Sequence, residues 1–505
     1  MGGLILGLLS VALLIRAVGA EGFGVVSLLG PTVGLSALLQ DVVRETMIRE
    51  LGVAYHSDDS QLLPRVYNAC IRVCAGTAAV TLGLIICVVA MLPFFRIPAE
   101  LLPAARYFFA AAGAQAVVAV LLAPAFNMYR VSERMVLANF WIFLERAADV
   151  LAAIVVYFVV APVAQLVIIY GCVSYGIKLV IQLVACGSII VADRRLVPRL
   201  GVATSEDYRQ VVTGCGWNAA VEIAANLHLR VDAIIMNLCF GVFYNGIFGI
   251  AVRASSYVRM LAIGSTNGID AVAARLTSRA KSVKLPLLTQ YSTKLHAVVT
   301  FPAIVCVFLL AEPFVSLWVG DSLRDPQAVT RTVVLVRILL VGVAIRSIAD
   351  GWQKLLYGAG FVRSYAIPVL IGGIANPVIA LILLGLWPDR VGYTAVAWAY
   401  SISFTGVQLI LFPIIVMRCI GCGFDQVISP IIRPMIISIV LSPVLMLFIR
   451  KVEVWTISWL ALAACAYGGV YLCAMCLVGF TAAERISVLA GLSAIWSKRS
   501  VSDAN

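Results

Sequence analysis

Apolar runs long enough to cross a bilayer, broken by short polar stretches, recur along the entire chain. About 20 apolar residues span the hydrocarbon core as a helix, and only helices or closed barrels satisfy every backbone group there. Read this way, the pattern predicts spans at 2–18, 25–43, 66–92, 104–128, 136–160 and 163–191. A second set follows at 211–236, 244–268, 292–311, 332–356, 365–387 and 392–417, and a last pair at 431–449 and 454–478. The expectation is an all-α polytopic membrane protein with about fourteen transmembrane helices.

Composition agrees. Hydrophobic residues make up 62% of the chain and charged residues 12%, against about 25% charged in soluble domains. Residues 2–18 are apolar from the start with no basic n-region, so insertion through the chain's own helices is expected in place of a cleaved leader. The net charge of +12 comes from cations set singly between apolar runs. That arrangement reads as topology and not as a nucleic-acid surface. Arg44, Arg49, Arg65, Arg130, Arg134, Arg194, Arg195, Arg199, Arg209, Arg275, Arg279, Lys281 and Lys284 fall on one side, with Arg363, Arg418, Arg485, Lys498 and Arg499. Arg96, Arg324, Arg331, Arg390, Arg450 and Lys451 fall on the other. The richer side is cytoplasmic by the positive-inside rule, which puts both termini there.

The 13 cysteines lie mostly within apolar runs, where a thiol acts as a small hydrophobe. Cys419-x-x-Cys422 and Cys473-x-x-Cys476 have ligand-like spacing, but the chain has 3 histidines and no second pair in one loop. No metal or other cofactor is implied. Walker, GxSxG, HExxH and EF-hand patterns are absent, and the polar loops are too short for a catalytic domain, so no enzyme is expected.

The chain also reads as doubled. The first span leaves through Arg16-Ala-Val-Gly-Ala-Glu-Gly-Phe-Gly24 and the seventh through Phe240-Gly-Val-Phe-Tyr-Asn-Gly-Ile-Phe-Gly249. The fourth and tenth leave through Asn127–Arg134 and Leu356–Arg363. Two six-helix lobes in parallel topology fit, 1–191 and 192–417, followed by two extra helices at 418–478 and a tail at 479–505. Such repeats place a transporter's substrate site at the lobe interface.

At these residues the chain resembles the polysaccharide transporter family of oligosaccharide and O-antigen flippases. That family belongs to the superfamily of multidrug, oligosaccharidyl-lipid and polysaccharide exporters, the MOP superfamily. Arg16, Gly19 and Phe23-Gly24 match its first corner. Arg230-Val-Asp232-Ala-Ile-Ile, then Gly241, Gly246 and Ala251, match its seventh span, with Leu317-Trp-Val-Gly320 and Gly358-Ala-Gly360 further on. The family's short segment before the first span is missing, and Ala273-Ala274 replace a proline common after the eighth. The arginine-rich signature of the lipid II flippase branch is also missing, and two spans more than the drug extruders favour the lipid-linked sugar branch.

The resemblance implies a flippase of the cytoplasmic (inner) membrane that moves a polyprenyl-diphosphate-linked oligosaccharide by alternating access. Its partners would be that cargo, membrane lipids, H+ or Na+ as coupling ion, and polysaccharide polymerase or assembly machinery. An ion-coupled multidrug exporter of the same superfamily is the first alternative. A membrane-embedded polysaccharide polymerase is the second, and it would need a large catalytic outer loop.

Charges within spans need a reason, since each costs about 2.5 kcal/mol or more. Arg253 and Arg346 are the first candidates for diphosphate contact, because guanidinium forks match phosphate oxygens. By the resemblance, both of their helices line the cavity. Arg337, Lys178 and Arg16 follow. Glu145 and Asp149 share a face of the fifth span beside Arg146 and are candidates for ion coupling, as is Glu222. His228 reads as a packed side chain. Plain pairing is the competing account, with Arg346 against Asp350 four residues on and Arg146 against the two carboxylates. Arg230 and Asp232 each need a partner on another helix, whereas Arg16, Asp41, Arg72, Arg259 and Arg433 sit near span ends and can snorkel.

Overall fold

The computed structural model describes residues 2–57, 59–199, 202–214, 221, 231–266, 268–278, 284–320, 323, 325–481 and 484–485. In order, the helices are α1 (Gly2–Tyr55), α2 (Leu62–Met91), α3 (Leu102–Val131), α4 (Met135–Phe158), α5 (Val163–Ala192) and α6 (Ser205–Gly214). Next are α7 (Val231–Phe240), α8 (Val242–Ser265), α9 (Ile269–Ser278), α10 (Leu285–Leu309), α11 (Ala311–Val319), α12 (Pro326–Gly358) and α13 (Val362–Leu386). The chain closes with α14 (Pro388–Ile420), α15 (Ser429–Lys451) and α16 (Ile457–Gly479). Among the described residues, 11 helices are long and apolar enough to cross a membrane. The protein is an all-α polytopic membrane protein.

Most helices fall where the apolar runs end. The first two predicted spans are one continuous element, α1, broken only at Gly19, whose φ of 70° suits a residue without Cβ. The seventh enters α8 through a second left-handed glycine, Gly241, with φ 87°. Both corners foreseen in the sequence are therefore single glycines. The short helices α6, α9 and α11 lie in stretches read as connections or span edges. Proline lies inside α3 (Pro124), α10 (Pro302) and α13 (Pro368, Pro377), as bundled membrane helices permit.

The chain forms two compact units. The first comprises Met1–Ala254, Trp318–Leu339 and Val362–Gln408, and the second Ser255–Leu317, Leu340–Phe361 and Leu409–Asn505. In the first, α3 packs along α5, and Met47, Leu51, Tyr67, Cys70, Met128 and Ile189 share one core. Tyr129 reaches from α3 to α5, donating to the Ala185 carbonyl at 2.8 Å. In the second, the last two helices pack on α10, through Leu310, Leu445, Ala463 and Tyr467. Trp352 donates to Thr293 Oγ1 at 2.9 Å there, satisfying an indole that hydrocarbon would otherwise strand.

Candidate functional site

Polar residues on α4 and α5 recur every four positions: Glu145 and Asp149 on one, Ser174, Lys178 and Gln182 on the other. A four-residue step keeps side chains on one helical face, so two apolar helices each present a narrow polar stripe. The stripes meet. Lys178 Nζ lies 2.6 Å from Asp149 Oδ1, and Ser174 Oγ donates to the same oxygen at 2.7 Å. One level away, Gln182 Nε2 donates to Glu145 Oε1 at 3.0 Å, and Gln115 Nε2 on α3 donates to Gln182 Oε1 at 3.1 Å. The two carboxylates thus have separate partners. Arg146 takes neither and lies exposed on α4.

Aromatic rings surround the next layer. Lys178 Nζ sits 5.1 Å from the Tyr175 ring centroid, and Phe108 packs on both Tyr170 and Tyr175. Arg253, on α8, holds its guanidinium carbon 5.3 Å from the centroid of the fully buried Phe23. It lies within electrostatic reach of Tyr170 and Tyr175. A cation over an aromatic face gains about 0.5–2 kcal/mol, more when desolvated. The first unit therefore brings Arg253 and Lys178 into one aromatic cluster, with Asp149 partnering the lysine.

Asp232, on α7, is 2% exposed and accepts from Asn376 Nδ2 on α13 at 2.7 Å. The expected partner on another helix is a neutral amide and not a cation. Arg337 is half-buried on α12, and Arg16 is exposed on α1 ahead of the Gly19 break.

In the second unit the pairing differs from the expected one. Asp350 is held by Arg259, through Nε at 2.7 Å and the terminal nitrogen at 2.9 Å. Arg259 therefore does not snorkel, and the i+4 neighbour Arg346 does not claim those bonds. Arg346 is 5% exposed and within electrostatic reach of Asp350. Two helices offer more approach directions than one helical face, so the fork that aligned with the carboxylate took it. Glu222, with His228 and Arg230, lies outside the described residues.

Sequence reasoning missed Tyr170, Tyr175, Phe108, Gln182, Gln115 and the Arg259–Asp350 pair. The four-residue spacing of Ser174, Lys178 and Gln182 was a readable signal for the α5 stripe. The aromatics gave none, since rings are common in apolar helices.

No protein-family model matches the chain, and no curated protein matches it in sequence. Solved structures do match in three dimensions. The lipid II flippase MurJ in an inward closed conformation aligns with TM-score 0.71 at 13% identity, over 93% of this chain and 96% of that one. The fold is that of the flippases and exporters. An inward-facing multidrug resistance MATE family transporter of the MOP superfamily gives TM-score 0.64 at 15% identity, over 83% of this chain and 94% of that one. The MATE multidrug transporter DinF-BH gives 0.59 at 15% identity, over 85% and 95%.

Proposed function

We propose that the chain is a flippase carrying a lipid-diphosphate-linked oligosaccharide across the cytoplasmic membrane by alternating access. The observation that carries this reading is Arg253, a guanidinium within a spanning helix, set over Phe23 beside Tyr170 and Tyr175. A guanidinium fork recognises phosphate oxygens, and aromatic walls suit the sugar rings attached to them. Likeness to a lipid II flippase supports the flippase class. In this reading Arg346, Arg337 and Arg16 supply further positive potential, both termini face the cytoplasm, and polymerase or assembly proteins receive the product.

The test is cargo flux per mole of inserted protein in proteoliposomes. Arg253→Ala should lower flux about tenfold or more, the scale of one lost charge-assisted bond. Arg253→Lys should rescue little, because an ammonium cannot make two parallel bonds to one phosphate. Normal flux in the combined Arg253→Ala, Arg346→Ala variant at normal expression would remove both arginines from the mechanism.

A multidrug exporter is the second reading, favoured by Asp149 and Glu145 beside aromatic rings, a surround that also suits an organic cation. Efflux of a cationic dye with no flux of lipid-linked sugar would select it.

A further inference from the structure

Glu145 borders a cavity of about 320 Å³ bounded by α3, α4 and α5, whose lining includes Asn127, Arg130, Phe126, Gln182 and Cys186. Asn127 is 1% exposed, and its amide nitrogen has no hydrogen-bond partner. A space of this size, lined by the Glu145 carboxylate, Gln182 and Arg130 among apolar residues, is polar and roomy enough to hold water. At about 30 Å³ each, about ten molecules fit.

We propose that this cavity is a water-filled chamber through which Glu145 gains and loses a proton, and that the Gln182–Gln115 chain reverses its hydrogen-bond direction each time. The inference rests on the transporter reading and gives it a coupling ion and a site.

The hydrogen-bond inventory supports the reversal. With Glu145 ionised, its carboxylate only accepts, so the chain runs Gln115 Nε2 to Gln182 Oε1 and Gln182 Nε2 to Glu145. A hydronium in the chamber gives its proton to a Glu145 oxygen and leaves as water, and the side chain goes from −1 to neutral. Its O–H then donates to Gln182 Oε1, and the turned amide donates onward to Gln115 Oε1. No bond is lost, and three helices register the change.

Asp149 cannot play this part as cheaply. Protonating it would strip the Lys178 ammonium of its partner inside the bundle. A metal cation is also disfavoured. Hard cations take several oxygen ligands, whereas Glu145 is the one carboxylate among the lining residues and Arg130 adds a positive charge to them. The titratable and charged groups facing Glu145 are Arg130 from α3, Lys178 and Cys186 from α5, and Asp149 from its own helix. No residue of the described part of α1 lines the chamber.

The experiment is labelling with dicyclohexylcarbodiimide, in membrane vesicles holding the full chain, read by peptide mass spectrometry; a protonated carboxyl gives its proton to the reagent's nitrogen and its oxygen adds to the carbodiimide carbon. The expected result is an adduct on Glu145 and none on Asp149. Its rate should fall about tenfold per pH unit on the alkaline side of the midpoint and be indifferent to sodium. Gln182→Leu removes a donor to the carboxylate and should move that profile to higher pH. No adduct on Glu145, a flat pH profile, labelling of Asp149 instead, or protection by sodium would each overturn the proposal. Labelling needs no cargo, so a pH-dependent adduct with no sugar-lipid flux would sink the flippase reading and leave this site standing. Proton-driven flux that persists in Glu145→Gln would do the reverse.

Discussion

Gly24 and Gly246 occupy matching places after the two glycine corners and are packed reciprocally. Each stands five residues beyond a left-handed glycine, Gly19 or Gly241. A Cβ on Gly24 would run into the Val242 carbonyl, and one on Gly246 into the Ala20 carbonyl, each the residue just after the other's corner. Asn245 Nδ2 donates to the Gly24 carbonyl at 3.0 Å and ties the crossing together. The two glycine corners, distant in sequence, are thus also in contact.

Substitution at this crossing should act on packing first. Gly24→Val and Gly246→Val should each cost about 1–3 kcal/mol through overpacking against rigid backbone. The check is melting temperature of purified protein in detergent. Gly52→Ala, inside α1 where a Cβ meets nothing within 4 Å, is the control and should not lower it.

The Arg259–Asp350 pair makes a different prediction. Removing one partner leaves a poorly solvated charge, so Arg259→Met or Asp350→Leu alone should destabilise by about 3–5 kcal/mol. The double variant should recover most of that loss, because both charges go together. Thermal unfolding of the four proteins forms the cycle, and additive losses would show that the pair is not coupled.

The α6 helix carries a pH dependence outside the spans. Burial alone would raise the Asp207 carboxyl, but hydrogen bonds from Thr204 and from Arg65 overcome it and hold the group below its usual value. Arg65 engages it through Nε at 3.2 Å and one terminal nitrogen at 3.0 Å. A lowered folded value means the stabilisation is present above the ordinary carboxylate range, about pH 4, and is lost as pH falls through the folded value. Hydrogen-exchange protection in Ser205–Gly214, measured against the unfolded rate at each pH, should therefore hold at neutral pH and fall only below about pH 4. Asp207→Asn should show low protection at both.

Topology is directly testable. Reporter fusions at Asn505 and after Asp325 should report opposite sides, with Asn505 cytoplasmic. The same side for both would refute the orientation drawn from the basic loops.

Much of this protein is settled by its sequence. Apolar run length fixed where α2 to α5, α8, α10 and α12 to α16 lie, because an apolar run of that length satisfies its own backbone in hydrocarbon only as a helix. Gly19 and Gly241 marked the corners, since only glycine enters the left-handed region without strain. Partner choice was not settled. Arg346 and Asp350 match by spacing, yet the carboxylate went to Arg259; Glu145 and Asp149 look like one site, yet they split between Gln182 and Lys178. Spacing along a helix decides which side chains share a face. Which neighbour brings a donor to that face depends on how helices distant in sequence are turned against each other, and only the tertiary structure decides that.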